Sequence, residues 1–321
     1  MRIALCHHLG LSYYGGGEKF IIQLANELVK RGHDVEIYSL PFLLEGKPKV
    51  KNVKELLNDI PYTEGCRHKV RADVCYMTYN PLTWFNFDTS VPRIAGIHSH
   101  TYWLNPHPSY GVLPNIANII NRFTSYMELR RFQAIHMVTN VYRVNHPNVY
   151  YIPNFVDSEK FKPCKNKDEK FSIAYASRKV WQKGWDIFQQ VTKNFAEDIN
   201  VNLSGEILED DMPAFLSESH VVVAPSRVDT FGLSIIESLM VETPVITTPL
   251  DTHRCLGVPL MYAETPAEIT EEIFELKSLW EMKLEKYMEL SKLCRKSAMK
   301  YDKRIIIDDL ENMLLEVANN A

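Results

Sequence analysis

Residues 221–249 read VVVAPSRVDTFGLSIIESLMVETPVITTP. An apolar run, 221–224, precedes a polar loop, and a second apolar run, 245–247, closes the stretch. Between them, Phe231-Gly232-Leu233 makes a tight turn that opens an apolar helix. The order is strand, loop, helix, strand. Two carboxylates, Asp229 and Glu237, stand eight positions apart, which is roughly 12 Å of rise if all of it were helical. Asp229 falls in the loop and Glu237 inside the helix on nearly the same side. The unbonded N–H groups of the first helical turn lie between them and suit an anion. A phosphate at the helix start, with carboxylates on either side to bind hydroxyls, is the chemistry of a nucleotide sugar.

The same alternation extends in both directions. Residues 2–7 read as a buried strand and 18–31 as a helix. In that helix Phe20, Leu24 and Leu28 recur at four-residue spacing, with Ile21, Ala25 and Val29 beside them. Gly32 ends it, and 34–40 is the next strand. A β-α-β unit implies a parallel sheet with a right-handed crossover. Further strands are predicted at 73–78, 93–98, 135–139 and 149–152, with a helix within 114–133. Residues 41–72 have no clear pattern. The segment 145–164, with three prolines and two Asn/Pro turns, reads as a joint. A second series follows: strands at 171–176, 200–204, 220–224 and 244–247, and helices at 184–196, 209–218 and 231–241. From 266 onward the tail is helical.

The chain has 321 residues, 45% of them hydrophobic, enough for two cores. Its net charge of −4 offers no global basic field for nucleic acid. The six cysteines, Cys6, Cys66, Cys75, Cys164, Cys255 and Cys294, show neither C-x-x-C pairing nor metal-ligand spacing with histidine. They read as reduced, mostly buried thiols of a cytoplasmic protein. The first apolar stretch is too short for a signal peptide, and no uncharged run approaches a membrane span.

Several side-chain groups point to chemistry. Gly15, Gly16 and Gly17 open the first helix. They permit φ > 0 and close approach of a ligand to the backbone, the alternative being a plain flexible turn. Arg178 and Lys183 share one loop after a strand and before a helix. There they would clamp a diphosphate, a planar fork and a mobile point charge together; a solvated basic loop is the bland reading. Glu237 sits between Ile236 and Leu239 in a buried segment, so its carboxylate needs partners. His98 and His100 share a face if their strand extends that far, but no third metal ligand is spaced nearby. Residues 116–133 are amphipathic and tipped with Arg122, Arg130 and Arg131. Such a helix usually packs its apolar face on its own sheet; an anionic membrane surface is the other reading. Tyr102, Trp103, His107 and Tyr110 are candidates to line an acceptor groove in which sugars stack on aromatic faces, or equally a packed surface loop.

Four motifs in order resemble the glycosyltransferases of family 4: GGGEKFIIQLANELVKRGHDVEIYS (15–39), IPNFVDSEKF (152–161), SRKVWQKG (177–184) and the stretch quoted first. The resemblance spans roughly residues 1 to 250. It implies an α/β protein of the GT-B fold, two Rossmann-like β/α/β domains facing across a cleft. The expected domains are 1–148, on the acceptor side, and 149–304, binding the donor, with a helix at about 305–321 packing back on the first. The implied activity is hexosyl transfer with retention, from a UDP- or GDP-sugar to an acceptor hydroxyl, with no metal or other cofactor required. The resemblance places Arg178 and Lys183 on the donor diphosphate. Thr230, Phe231, Gly232 and Leu233 fall at the phosphate and sugar, Glu237 on the ribose, and Asp229 on the donor sugar. Gly16 and Gly17 close on the phosphates and His98 lies near sugar and acceptor. His98, Asp229, Arg178 and Lys183 are the expected catalytic set. The acceptor would be a glycan, a lipid-linked molecule or a protein, not nucleic acid, and peripheral membrane contact is compatible with it. The chain departs from the pattern at four places. Asp229 stands for a Glu, Phe155 and Ser177 for glycines, and LDTHRCLGVP (250–259) for a glycine-rich loop. A catalytically silent sugar-nucleotide binder and a nucleotide-sugar 2-epimerase are the rivals; incubating donor without acceptor distinguishes the epimerase, which alone converts it.

Overall fold

The computed structural model describes residues 1–41, 52–99, 112–164, 167–193, 195, 198–204 and 207–320. The chain forms two compact units, one of residues 1–153 with 306–321, the other of residues 154–305. His100, Tyr102, Trp103, His107 and Tyr110 lie outside the described residues.

The first unit is built on β1 (Arg2–His7), β2 (Asp34–Ser39), β3 (Tyr62–Glu64), β4 (His68–Lys69), β5 (Val74–Thr78), β6 (Phe87–Asp88), β7 (Arg93–Ile97), β8 (Ala134–Met137) and β9 (Val149–Tyr151). Seven of these make a parallel sheet in the order β3-β2-β1-β5-β7-β8-β9. Its strands β1, β5 and β8 are almost wholly buried, as the near-continuous apolar runs of a parallel sheet require. Between β1 and β2 runs α1 (Gly16–Lys30), which buries Phe20, Ile21, Ile22, Leu24, Ala25 and Leu28. Val29, expected on that face, is exposed. Gly32, at φ +87, takes the left-handed position after the helix.

The second unit holds β10 (Ser172–Tyr175), β11 (Asn200–Leu203), β12 (Val221–Ala224), β13 (Val245–Thr247) and β14 (Met261–Tyr262), all parallel, in the order β11-β10-β12-β13-β14. Between the strands lie the helices α3 (Trp185–Thr192), α4 (Met212–Glu218), α5 (Leu233–Met240) and the short α6 (Asp251–Arg254). Then come α7 (Pro266–Met282) and α8 (Leu284–Ala298). A Thr265–Glu268 capping box and Pro266 start α7. Phe155, one of the departures from the resembled pattern, is buried.

The last helix, α9 (Lys303–Asn319), buries Ile306, Ile307, Leu310, Met313, Leu314 and Val317. Each such side chain contributes about 1.5–3 kcal/mol by its burial. Glu311 on α9 receives Arg31 at 2.5 Å and His33 at 2.7 Å, so the turn after α1 is tied to the tail. Burial resists ionisation of Glu311, but His33 and Arg31 hold its carboxyl below the usual value.

Two expectations fail. The helix between β7 and β8, α2 (Val112–Glu128), turns its polar side inward. Ser125 is buried, whereas Ile116, Ile119, Ile120, Phe123 and Met127 are exposed. The cysteines are also less buried than expected: Cys66, Cys164 and Cys255 are exposed, and no disulfide joins any of the six.

Candidate functional site

Each sheet has one place where its strand order reverses, and open α/β sheets bind ligands at the carboxyl ends of the two strands that flank it. In the second unit these strands are β10 and β12. The loop after β10 carries Arg178 and Lys183; the loop after β12 carries Asp229. The Tyr175 hydroxyl, at the end of β10, donates to the carbonyls of Arg178 at 2.9 Å and Lys183 at 3.1 Å, which folds the first loop back on its own strand. A short 3-10 turn, Trp181–Lys183, follows and ends at Gly184. Gly184 has φ +69, and a β-carbon there would fall 1.8 Å from the Pro225 carbonyl oxygen. Only glycine lets the two loops approach this closely. Arg227 fastens them further. It donates a bidentate pair to Asp186 at 2.6 and 2.7 Å and a bond to the Trp181 carbonyl at 2.9 Å.

The consequence is contact between the two predicted groups: Lys183 Nζ lies 2.8 Å from Asp229 Oδ2. Burial resists ionisation of Asp229, but the Lys183 charge and His253 outweigh it and hold this carboxyl far below the usual carboxylate range. The sequence reading required no such perturbation. Arg178 is exposed at the rim of the same loop. Asp229 is anchored from α6 as well, because Thr252 Oγ1 donates to its carbonyl at 2.9 Å.

His253 is wholly buried, with Nε2 3.5 Å from Asp229 Oδ2 and without a hydrogen-bond partner among the described residues. Its other nitrogen faces Thr247 Oγ1 at 2.9 Å and the Thr248 carbonyl at 3.2 Å. The Thr247 hydroxyl spends its proton on the Ala224 carbonyl at 2.8 Å. Both neighbours of Nδ1 are therefore acceptors, and Nδ1 bears a hydrogen.

Beside the pair, α5 begins at Gly232, which has φ +86 and no side-chain cap over it. No N-cap side chain covers the first turn of α5, and the Ile235 and Ile236 N–H groups turn back on the Gly232 carbonyl. Phe231 is buried edge-on against Tyr301, centroids 5.4 Å apart, so its ring anchors the loop before α5. Glu237 is half-buried, between fully buried Ile236 and Ser238.

In the first unit the sheet reverses between β1 and β5. The glycines after β1 work by lack of bulk and not through positive φ, which none of Gly15, Gly16 and Gly17 adopts. A β-carbon on Gly15 would meet Glu18 Oε2 at 2.9 Å, and one on Gly17 would meet His7 Cε1 at 3.2 Å. Glu18 turns back to accept from the Gly15 N–H at 2.7 Å. Its other oxygen bonds His7 Nε2 at 2.8 Å, and His7 Nδ1 meets Thr78 Oγ1 at 2.6 Å. Burial raises the Glu18 pKa, but His7 and the Gly15 N–H win, and the net shift is downward. Gly16, the first residue of α1, is exposed.

His98 follows directly after β7, which ends at Ile97, so the strand does not extend to pair it with His100. It sits instead at the head of a buried chain. The Tyr76 hydroxyl lies 2.8 Å from His98 Nε2 and 2.6 Å from His136 Nδ1, and His136 Nε2 donates to the Ile152 carbonyl at 2.7 Å. Burial holds His136 down to about 4, so it is neutral. With its proton on Nε2, Nδ1 must accept from Tyr76; Tyr76 then accepts from His98 Nε2–H. The directions put a hydrogen on His98 Nε2. The chain exists because position 96 is glycine: a β-carbon there would fall 2.0 Å from the Tyr76 hydroxyl oxygen. Tyr76, His136, His7, Thr252 and His253 were not among the residues picked from sequence. For His7, Tyr76 and His136 the available signal was polar side chains within apolar strands, in RIALCH, VCYMT and AIHM; Thr252 and His253 lie in the short α6 and carry no such signal.

Solved structures similar along the whole chain include glycosyltransferases. Sucrose-phosphate synthase from Thermosynechococcus elongatus matches with TM-score 0.75 and 12% identity over 100% of both chains. A glycosyltransferase from Rickettsia africae matches with TM-score 0.74 and 14% identity over 99% of each. HepE of Anabaena, solved in complex with UDP and glucose, matches with TM-score 0.72 and 14% identity over 98% of this chain and 99% of that one. At such identities the likeness establishes the fold: the chain has the GT-B fold of parallel-sheet α/β glycosyltransferases. More particularly, residues 171–278, from just before β10 into α7, match the family described as Glycosyl transferases group 1. No curated protein matches the chain in sequence.

Proposed function

We propose that the chain is a retaining glycosyltransferase that moves a hexose from a nucleoside-diphosphate sugar to an acceptor hydroxyl. The observation that carries this is the meeting of Lys183 and Asp229, 2.8 Å apart, on the two loops flanking the sheet reversal, beside a helix start with no side-chain cap. Unit 154–305 is the donor domain in this reading, and unit 1–153 with 306–321 the acceptor-side domain. Lys183 leaves Asp229 for the diphosphate, as its flexible stem permits, and Arg178 meets the same phosphates from the loop rim. Thr230 to Leu233 present backbone N–H groups to phosphate and sugar, and Glu237 accepts from the ribose. Asp229, released from Lys183 yet still held by Thr252, accepts from sugar hydroxyls. The roles of Gly16, Gly17 and His98 follow from the family resemblance: phosphate approach for the glycines, sugar and acceptor contact for His98.

The reaction breaks the bond from the anomeric carbon to the diphosphate oxygen and forms one to the acceptor oxygen on the same face. The acceptor proton passes to the leaving diphosphate. Arg178, Lys183 and the α5 terminus stabilise the charge growing on that group, and no step is routed through a metal. UDP-sugars are the first donors to test and GDP-sugars the second; the acceptor class is a glycan, a lipid-linked molecule or a protein, met in the cytoplasm.

Calorimetric titration of UDP and GDP, followed by turnover on the donor found, tests the reading. Lys183→Ala and Glu237→Ala should each lower turnover at least tenfold, with Lys183→Ala also weakening the diphosphate. Near-normal rates in both variants, or nucleotide binding indifferent to Lys183, would remove the site.

A further inference from the structure

A helix on a globular protein buries its apolar stripe and shows water its polar face. In α2 the arrangement is reversed. Ile116, Ile119, Ile120, Phe123 and Met127 are 49%, 57%, 49%, 71% and 61% exposed. Their spacing places them on one stripe. On the opposite side Ser125 is buried and bonds the Asn121 carbonyl. Glu128 also turns inward, accepting from the Tyr79 hydroxyl at 2.8 Å and the Leu82 N–H at 3.3 Å. Leu82 and Phe85, on the loop that Glu128 holds, are exposed in turn.

The exposed charges of residues 112–131 share one sign. Arg122, Arg130 and Arg131 are exposed, and Glu128, the only acid in residues 112–131, faces inward. Arg130 lies 4.5 Å over the Tyr126 ring and donates to its hydroxyl; Arg93 and Arg131 flank the Trp84 ring at 5.3 and 5.6 Å. Apolar side chains beside aromatic rings that carry guanidinium groups are what a headgroup boundary accommodates. The helix is about 25 Å long, and no described helix is long and apolar enough to cross a membrane. It would lie in the interface plane.

We propose that the exposed face of α2 docks the protein on an anionic lipid bilayer. Apolar residues enter the acyl boundary and Arg122, Arg130 and Arg131 meet the lipid phosphates. The charge selects this occupant: three exposed cations and no exposed acid in residues 112–131 complement an anionic surface, whereas burial in a second copy of the chain would oppose like charges. The inference is independent of the donor reading.

The test is sedimentation of the full chain with vesicles of phosphatidylcholine, with and without phosphatidylglycerol. Binding should require the anionic lipid and weaken with salt. Phe123→Ser with Met127→Ser should lower it tenfold or more. Arg122→Gln, Arg130→Gln and Arg131→Gln together should lower it on the order of a hundredfold, at about fivefold for each cation. All five positions are exposed, so circular dichroism and melting should not change. Failure to sediment with anionic vesicles at low salt overturns the proposal, and so does sedimentation indifferent to both sets of substitutions. A dimer in the ultracentrifuge that the same substitutions dissolve, with no vesicle binding, assigns the face to a second copy and overturns it equally.

Discussion

Replacing Tyr76 by Phe removes one oxygen from the middle of a buried chain. His136 Nδ1, neutral and wholly buried, then loses the donor it holds at 2.6 Å, while Nε2 stays committed to Ile152. A buried acceptor left without a partner costs about 1–3 kcal/mol. In a unit of this size each kcal/mol lowers the melting temperature by roughly 2–4 °C. Denaturant unfolding of wild type and Tyr76→Phe measures the loss, and nitrogen-15 NMR of the histidine rings reports the tautomer. Wild-type His98 should carry its proton on Nε2; the variant, lacking the Tyr76 acceptor, should show a mixture. Gly96→Ala approaches the same chain from the other side, because its β-carbon would lie 2.0 Å from the hydroxyl and must displace Tyr76. Each single change already breaks the bond, so the double variant should be less destabilised than the sum by at least about 1 kcal/mol. Additive losses would refute the coupling. A wild-type His98 protonated on Nδ1 would refute the chain of donors itself.

Two further outcomes follow from buried charge. Burial holds His136 in one unit, and burial with Lys167 holds His220 in the other, down to about 4. Unfolded histidine titrates near 6.5, so between about 4 and 6.5 the unfolded chain binds the extra protons. Stability is complete above that window and falls as pH drops through it, by at most about 3 kcal/mol per histidine; a denaturant midpoint unchanged from pH 7 to 4.5 would contradict this. Asp229 has the opposite chemistry. Its depressed pKa gives stability that is fully present above the ordinary carboxylate value and is lost as pH falls through the folded one. Asp229→Asn should therefore lower the melting temperature by a constant amount from pH 5 to 8, and the difference should shrink below about 4. A gap that widened toward acid would show that Lys183 and His253 do not stabilise the ionised form.

The repeating strand-helix order was legible because burial imposes it on every element. Residues 2–7 and 221–224 read as strands and form them, and the loops carrying Lys183 and Asp229 were found because they follow such strands. Strands β3 and β14, of three and two residues, escaped notice because so short an edge leaves no periodic trace. For α2, periodicity revealed that a stripe exists but carries no sign saying which way it turns; only the burial of Ser125 and the bonds of Glu128 to Tyr79 and Leu82 decide that. The glycine run was read as backbone freedom, whereas Glu18 and His7 occupy the space that β-carbons would take. Pairs such as His7 with Glu18, or Asp229 with His253, join residues far apart in sequence, and no spacing rule predicts them.

Two departures from the resembled sequence pattern, separate in sequence, meet in space. Asp229 is shorter than the usual Glu by one methylene, and the segment from 250 onward lacks the usual glycines. That segment makes α6, a helix of four residues. From it Thr252 binds the Asp229 carbonyl and His253 faces the Asp229 carboxylate at 3.5 Å. Thr247 and the Thr248 carbonyl fix His253 in turn, and its Cδ2 lies 3.5 Å from where a β-carbon on Gly232 would stand. One buried ring thus touches the carboxylate loop and the end of β13, and fills the space beside Gly232. A longer carboxylate at 229 would need room that Lys183 and His253 now fill, and overpacking of this kind typically costs about 1–3 kcal/mol. The short side chain at 229 and the histidine of α6 thus share one packed contact, and Asp229→Glu should lower the melting temperature where Asp229→Asn at the same pH reports the loss of charge alone.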